Sequence, residues 1–190
     1  MTSLKLHLMR HGPPLRPGLL LGHGDEPAVP GSQAFLVSRS KALHFDAVAT
    51  SDLERAKAGA AAIARARGIA FALDPRWREL HFGAWDGLDP AAIEQGQLQS
   101  FWSDPDANPP PSGERWGELK ERVSSAISAI GGSTLVVTHG GAMRAAISVL
   151  TGLDHRGVWA FDLPYGAVVS LRIWRESGAK MTRARRCRDR

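Results

Sequence analysis

Short strand-like runs, each followed by a helical pattern, are the feature that most constrains the fold of this chain. Leu4, Leu6 and Leu8 alternate with polar neighbours, as in a strand with two different faces. Residues 134–138 are apolar or β-branched throughout, as in a strand that is buried on both faces. Residues 46–50 form another short strand candidate. Strands that alternate with helices predict an α/β fold: a three-layer α/β/α sandwich with a mostly parallel, doubly wound central sheet.

The segment after residue 50 predicts the start and the end of a helix. Ser51 and Glu54 have the spacing of a capping box, in which each side chain bonds a backbone N–H at the start of a helix. An alanine-rich stretch then runs to about Arg67, and Gly68 ends it. We therefore expect a helix capped by Ser51, directly after the second strand.

The remaining patterns fit a single domain. Residues 69–73 and 168–174 are further strand candidates, and apolar residues at steps of three and four predict an amphipathic helix over 116–130. Residues 103–113 are rich in proline and are expected to form a loop or lid and not a linker. We predict one domain over 1–174 and a basic tail over 175–190.

The basic charge of the chain belongs to this tail. The net charge is +5, and residues 175–190 hold seven Lys and Arg against two Asp and Glu, which leaves 17 of each sign in the rest. An arginine-rich end without aromatic residues to stack on bases disfavours a nucleic-acid partner. No apolar run is long enough to span a membrane, and a single cysteine, Cys187, favours a reducing cytoplasmic setting. The sequence leaves open whether the chain is a monomer or a homodimer.

Three polar segments follow predicted strands. Arg10-His11-Gly12, residues 51–55 and His139-Gly140-Gly141 each come just after one of them. Open α/β sheets bind their ligands at the carboxyl ends of the strands. We therefore expect the three segments to meet in one crevice.

The first segment has the residue types that phosphoryl chemistry needs. A neutral imidazole such as His11 is a good nucleophile near neutral pH, since its ordinary pKa is about 6.5. The neighbouring guanidinium of Arg10 can hold phosphate oxygens, and Gly12 lets backbone amides approach an anion. Alone, this tripeptide is equally compatible with a surface turn.

The other two segments add anion-binding groups. Arg55 is predicted on the first turn of a helix, where the helix dipole and the guanidinium both favour an anion. His139 and Gly140 can offer a ring N–H and a backbone N–H to a phosphoryl oxygen. Taken singly, a solvated arginine and a histidine bonded to a carbonyl are the simpler explanations.

A carboxylate for general acid-base catalysis has three candidates. Glu79 lies in a segment rich in aromatic residues, 77–87, where partial burial favours the protonated form of a carboxyl group. Asp86 and Asp89 compete for the same role, and spacing alone does not choose among them.

Together, four motifs in order resemble those of the histidine phosphatase superfamily, also called the phosphoglycerate-mutase-like family. The motifs are Leu8-Met9-Arg10-His11-Gly12, Ser51-Asp52-Leu53-Glu54-Arg55-Ala56, Arg78-Glu79-Leu80 with Phe82-Gly83-Ala84-Trp85-Asp86-Gly87, and Thr138-His139-Gly140-Gly141. The resemblance implies that His11 is phosphorylated and that Arg10, Arg55 and His139 bind the phosphoryl group. It also implies that Glu79 is the acid and base, that the substrate is a small phosphomonoester, and that no metal or cofactor takes part.

Within the superfamily, looser motifs resemble those of the α-ribazole phosphatases of cobalamin biosynthesis. They are residues 20–25 with 31–34, Pro111-Ser112-Gly113-Glu114-Arg115-Trp116, and Leu163-Pro164-Tyr165-Gly166. His23 and Trp116 are on this ground added to the expected substrate-binding residues. Pro13-Pro14 departs from the family pattern after the nucleophile, and its effect on the phosphate pocket is left open.

Three alternatives remain at this point. A phosphoglycerate mutase and a sugar-phosphate phosphatase belong to the same superfamily. A non-catalytic sensor of a phosphorylated ligand belongs to another class, and the presence of a nucleophile, an anion clamp and an acid argues against it.

Overall fold

A five-stranded sheet forms the centre of the protein. The computed structural model describes residues 2–175. The strands are β1 (Thr2–Arg10), β2 (Ala47–Thr50), β3 (Phe71–Leu73), β4 (Thr134–Thr138) and β5 (Val168–Arg175). Their order is β3-β2-β4-β1-β5; the first four are parallel, and β5 is antiparallel to β1.

Six α-helices connect or follow these strands within residues 2–175. They are α1 (Ser32–Ser40), α2 (Glu54–Arg67), α3 (Gln95–Ser103), α4 (Trp116–Ser128), α5 (Gly140–Thr151) and α6 (His155–Trp159). Three short 3₁₀ turns, Pro75–Trp77, Gly83–Trp85 and Pro90–Ala92, lie between β3 and α3. None of the helices in this described part is both long and apolar enough to cross a lipid bilayer.

The helices cover both faces of the sheet. Leu6 and Leu8 of β1 pack in one apolar cluster with residues of α4 and α5, while Met9 packs in a second cluster with residues of α1 and α2. All five residues of β4 are buried, because this central strand has a helical layer on each side. The predicted three-layer α/β/α architecture with a mostly parallel sheet is confirmed.

The predicted boundaries differ from the structure in places. The third strand begins at Phe71, two residues later than expected. Helix α4 ends at Ser128, so the buried Ile130 lies beyond its last turn. The capping box at Ser51 is wrong, since α2 begins only at Glu54 and has no side-chain cap from its N-cap residue Leu53. The end of α2 at Gly68, in the left-handed conformation, agrees with the prediction.

The proline-rich segment is a loop that packs against the segment that carries Glu79. The backbone N–H of Ala84 donates to the Pro111 carbonyl (2.8 Å), and that of Glu114 donates to the His81 carbonyl (2.8 Å). Gly83 has φ of 53°, and a Cβ there would lie 2.1 Å from the Pro111 carbonyl oxygen, so only glycine fits. The loop between α3 and α4 therefore fixes one side of the candidate site. The predicted tail, 175–190, lies outside the described residues apart from Arg175.

Candidate active site

The ends of β1, β2 and β4 lie side by side, which brings the three polar segments together. Arg10 pairs with Thr138 in the register of β1 and β4, and Thr50 pairs with Val137 in that of β2 and β4. The backbone N–H of His11 donates to the Thr138 carbonyl at 2.8 Å. The residues that follow each strand, His11, Ser51 and His139, thus lie at one edge of the sheet, as the strand pattern predicts.

His11 is held in one tautomer. Its Nδ1 lies 2.6 Å from the Gly12 carbonyl oxygen, and because a carbonyl only accepts, Nδ1 carries the proton. Its Nε2 makes no hydrogen bond within residues 2–175. Burial lowers the pKa of His11 to about 3, with a further contribution from the positive charge of Arg55. The ring is therefore neutral at physiological pH and keeps a lone pair on Nε2.

Gly12 and the two prolines after it fix the entrance segment. A Cβ on Gly12 would lie 2.7 Å from the Ser32 side chain, so glycine allows the close approach of α1. The Pro13 carbonyl accepts from the Val29 N–H at 2.8 Å, and Pro14 forms an antiparallel bridge with Ala28. The Pro13-Pro14 segment is thereby tied to residues 28–29, which stiffens this side of the site.

His139 lies edge-on to His11, with 5.0 Å between the ring centres. It is fully buried; its Nε2 lies 2.7 Å from Ser51 Oγ, and its buried Nδ1 has no partner among the described residues. Burial and then the charge of Arg55 hold the pKa of His139 well below its ordinary value. Ser51 therefore orients the second histidine instead of capping α2.

Arg55 is almost completely buried and is held by a loop. Its Nη1 donates to the Gly24 carbonyl (2.8 Å), and its Nη2 donates to the carbonyls of Gly22 (2.6 Å) and Leu21 (3.1 Å). Its Nε is buried and has no partner within residues 2–175. Burial lowers the pKa of Arg55, and the negative charges of Glu79, Asp86 and Asp25 oppose this shift. The loop thus occupies both Nη groups of Arg55 and leaves its Nε–H without an acceptor among the described residues.

Arg10 is placed by a turn that precedes β5. Its Nη1 donates to the Leu163 carbonyl at 2.6 Å, and its guanidinium lies 4.2 Å from the centre of the Tyr165 ring. Its Nε is buried without a partner in the described part of the chain. The ring of Tyr165 also lies 5.5 Å from that of His11. The turn at 163–166 thus fixes the orientation of Arg10, the residue that precedes His11 in the sequence.

A cavity opens beside Arg10. Of the three candidate carboxylates, Glu79 is the one that lines this cavity. Its Oε1 accepts from the Leu80 N–H (2.8 Å) and its Oε2 from the Gly141 N–H (3.1 Å). A Cβ on Gly141 would lie 2.2 Å from Oε1, so the second glycine after His139 makes room for the carboxylate. The first, Gly140, lies against Arg10, since a Cβ there would be 3.5 Å from its guanidinium carbon.

Asp86 and Asp89 have other partners. Asp89 accepts from the Ala91 N–H at the start of a 3₁₀ turn. Asp86 accepts the N–H groups of Gly22 (2.8 Å) and Gly24 (2.7 Å), and the carbonyls of these same glycines accept from Arg55. Asp86 therefore holds the loop at residues 22–24, and the carbonyl groups of this loop hold Arg55.

His23 and Trp116 lie in different places. Trp116 lines the cavity. His23 is not part of that lining; its Nε2 donates to the Glu79 carbonyl at 3.0 Å and its ring packs edge-on against His81 at 4.5 Å. Burial lowers the pKa of His23, followed by the effect of His81. The structure places His23 behind Glu79, where it supports the backbone of the acid.

Two arginines of the site have no counterpart in the sequence analysis. Arg122 donates to the Glu79 carbonyl (2.7 Å) and is held by Glu114 (2.6 Å). Arg144 lines the cavity, one helical turn after Gly140. The four-residue spacing from Gly140 is a signal for Arg144, because residues i and i+4 share one face of a helix. No local pattern marks Arg122, whose role depends on a distant loop.

Comparison with known proteins places this site in a family. Residues 6–184 match the family model of the histidine phosphatase superfamily, branch 1. The chain belongs to this superfamily, which confirms the resemblance of the four motifs, and it is a phosphatase or mutase of that class.

Particular relatives carry different names. A probable phosphoglycerate mutase, GpmB, of Cronobacter sakazakii is 34% identical, over 79% of this chain and 76% of the relative. A mycobacterial glucosyl-3-phosphoglycerate phosphatase superimposes with a TM-score of 0.81 at 21% identity over 97% of both chains. The α-ribazole phosphatase of Shigella flexneri superimposes with a TM-score of 0.78 at 24% identity, over 95% of this chain and 96% of that one. The two superpositions show the shared fold.

Proposed function

We propose that this protein hydrolyses a small phosphomonoester through a phosphohistidine intermediate on His11. The observation that carries the proposal is the setting of His11: Nδ1–H is bonded to Gly12, burial lowers the pKa of the ring to about 3, and Nε2 makes no hydrogen bond within residues 2–175. A lone pair fixed in this way is the nucleophile that phosphoryl transfer requires.

In the first step, His11 Nε2 forms a bond to phosphorus while the ester P–O bond breaks. The leaving oxygen takes a proton from the carboxyl group of Glu79, and the alcohol departs. In the second step, water attacks phosphorus, Glu79 takes a proton from that water, and the N–P bond breaks to release phosphate. Glu79 thus loses a proton in the first step and regains one in the second. His11 Nε2 uses its lone pair in the first step and recovers it in the second.

The transferring group is stabilised by fixed positive charge. The Nε–H groups of Arg10 and Arg55 are buried without partners among the described residues, and the guanidiniums carrying them are anchored to backbone carbonyls. Donors that are already oriented cost no reorganisation when charge develops in the transition state. These guanidiniums supply the charge that Mg²⁺ supplies in other phosphoryl-transfer enzymes, so we expect EDTA to leave turnover unchanged.

The best candidate substrate is α-ribazole 5′-phosphate. Its support is the resemblance of residues 20–25, 111–116 and 163–166 to motifs of α-ribazole phosphatases, and an aromatic cavity beside the acid. A panel of phosphomonoesters that includes this compound and sugar phosphates tests the choice. A turnover preference for a sugar phosphate over α-ribazole 5′-phosphate would reassign the substrate.

Phosphoglycerate mutase is the second candidate function, favoured by the 34% identity to GpmB. A mutase must keep its phosphohistidine from water, whereas a phosphatase must admit water to it. Interconversion of 2- and 3-phosphoglycerate and release of inorganic phosphate are measured on the same sample. Mutase turnover that exceeds phosphate release would overturn the phosphatase assignment.

The phosphoenzyme itself is the decisive test of catalysis. A short reaction with ³²P-labelled phosphomonoester, quenched in alkali, should leave acid-labile label on wild-type protein and none on His11→Asn. His7→Asn is the matched control, because His7 of β1 is also buried but bonds Ser170 of β5 and the His44 carbonyl. A binding-only sensor would give no label on the wild-type protein.

A further inference from the structure

A cavity of about 220 Å³ opens beside Glu79 and Arg10. Its walls are mainly apolar and are formed by Leu80, Phe82, Phe101, Trp102, Trp116 and Trp159. The volume lies below the ~300 Å³ at which drug-sized ligand pockets begin, so the cavity fits one ring system and not a large molecule. The cavity adjoins Glu79, the proposed acid that protonates the leaving oxygen. A substrate group bound in the cavity would therefore be the group attached to that oxygen.

Trp159 is the centre of the aromatic wall. Its ring lies edge-on to that of Trp102 at 5.8 Å and to that of Trp116 at 5.4 Å. Trp102 and Trp159 are 42% and 37% exposed, although aromatic side chains of this size are normally covered. All three indoles therefore line the cavity, and Trp102 and Trp159 also present ring surface to solvent.

Arg144 lies at the polar end of this wall. Its guanidinium is 5.4 Å from the centre of the Trp159 ring, and its Nη2 donates to the Phe161 carbonyl at 3.2 Å. Its Nε is buried and makes no hydrogen bond to any described residue. Burial lowers the pKa of Arg144, and the charge of Glu79 opposes that shift.

We infer that this cavity is the subsite for the alcohol part of the substrate and that it selects a flat, uncharged, ring-bearing alcohol, with Trp159 as the main specificity-determining residue. This inference rests on the proposed phosphatase function, which it extends by naming the class of the leaving group. A flat ring between indoles gains stacking or edge-to-face contacts beyond simple burial.

The lining of the cavity favours an uncharged group. Its charged lining residues are Arg10, Arg144 and Glu79. Arg10 is assigned to the phosphoryl group, Glu79 is protonated when it acts as the acid, and Arg144 faces the Trp159 ring and donates to the Phe161 carbonyl. A leaving group with a carboxylate would therefore lose its hydration against a largely apolar wall.

The test compares primary alkyl phosphates with leaving alcohols of similar basicity. 2-Phenylethyl phosphate has a flat ring, 2-cyclohexylethyl phosphate has a puckered ring of similar size, and 3-phosphoglycerate has an anionic leaving group. We expect kcat/KM for the phenyl ester to exceed that for the cyclohexyl ester by about three- to tenfold, the range that aromatic pair energies imply. The phosphoglycerate should be the poorest of the three.

Variants locate the preference. Trp159→Leu should bring the phenyl-to-cyclohexyl ratio close to one, whereas Trp159→Phe should keep most of it. Trp174→Leu is the matched control: it also removes a partly buried indole, but from β5 opposite Ser3, at the end of the sheet away from Arg10. Circular dichroism checks that each variant is folded. If Trp159→Leu does not fold, Trp102→Leu is the second test of the aromatic wall.

The outcomes separate the two proposals. If no phosphomonoester is hydrolysed and no phosphoenzyme forms, the proposed function fails. If all three esters are hydrolysed but the phenyl and cyclohexyl esters are equal, the phosphatase stands and the aromatic subsite is wrong. A preference for 3-phosphoglycerate that Arg144→Met abolishes would make the cavity a carboxylate subsite instead.

Discussion

Ser51 Oγ lies 2.7 Å from Nε2 of His139, although the two residues are 88 positions apart in the sequence. Both side chains are completely buried at the ends of neighbouring strands. This is the only hydrogen bond that the His139 ring makes within residues 2–175, since its Nδ1 has no partner. The hydroxyl therefore sets the orientation of the ring toward His11.

Ser51→Ala should lower kcat for a phosphomonoester by about tenfold. Without the hydroxyl, both ring nitrogens of His139 are buried without partners, which costs about 1–3 kcal/mol and loosens the ring. Steady-state kinetics together with urea unfolding measure the two effects.

Ser40→Ala is the control for Ser51→Ala. Ser40 is also buried, and its hydroxyl donates to the Val37 carbonyl at 2.8 Å within α1. It should lose stability without losing kcat. Equal kinetic losses in the two variants would show that Ser51 acts on stability alone.

Glu79→Gln should slow the hydrolysis of alkyl phosphates by about 10²- to 10³-fold, within the range of general acid-base catalysis. Aryl phosphates should be affected less, because their leaving groups need little protonation. The measurement is kcat/KM for an alkyl and an aryl ester in parallel.

Glu94→Gln is the control for Glu79→Gln, since Glu94 is exposed and accepts backbone N–H groups at the start of α3. It should leave both rates unchanged. Equal losses on alkyl and aryl esters in Glu79→Gln would move the acid role to another group.

The parts of this site that local patterns reveal are those that follow strands. Arg10, His11 and His139 come at the ends of strands whose alternation or apolar run is visible in the sequence, so their convergence follows from the fold. Ser51 has the spacing of a helix cap, and only the pairing of β2 with β4 shows that it faces His139. The helical spacing from Gly140 indicates the position of Arg144, but the contacts of Asp86 and Arg122 depend on how loops pack against helices, which no periodicity encodes.

Asp86→Asn should raise the inhibition constant of orthophosphate by about tenfold. The carboxylate bonds the N–H groups of Gly22 and Gly24, whose carbonyls hold Arg55, and an amide has only one oxygen to accept both. Losing one such bond costs about 1–3 kcal/mol. Asp86 is a positioning residue, so the effect should appear in phosphate and vanadate binding, and the ratio of alkyl to aryl turnover should not change.

Asp89→Asn is the matched control for Asp86→Asn. Asp89 also bonds a backbone N–H, that of Ala91, but in a turn without contact to Arg55. Phosphate binding should be the same as in the wild type. If Asp86→Asn changes the alkyl-to-aryl ratio as Glu79→Gln does, Asp86 takes part in proton transfer.

The stability of the fold should fall with acid between pH 6.5 and 3. Burial and the charge of Arg55 lower the pKa of His11 to about 3, whereas the unfolded chain binds a proton at its ordinary pKa of about 6.5. Within this window the unfolded state holds more protons, so the free energy of unfolding rises with pH by up to about 1.4 kcal/mol per unit for each such imidazole.

Urea unfolding at pH 4.5, 5.5 and 6.5 measures the slope. His11→Gln should flatten the slope, and His44→Gln, at an exposed position before β2 and at the end of that strand away from Ser51, should keep it. An unchanged slope in His11→Gln would mean that the pKa of His11 is the same in the folded and unfolded chain, so that burial does not hold its ring neutral.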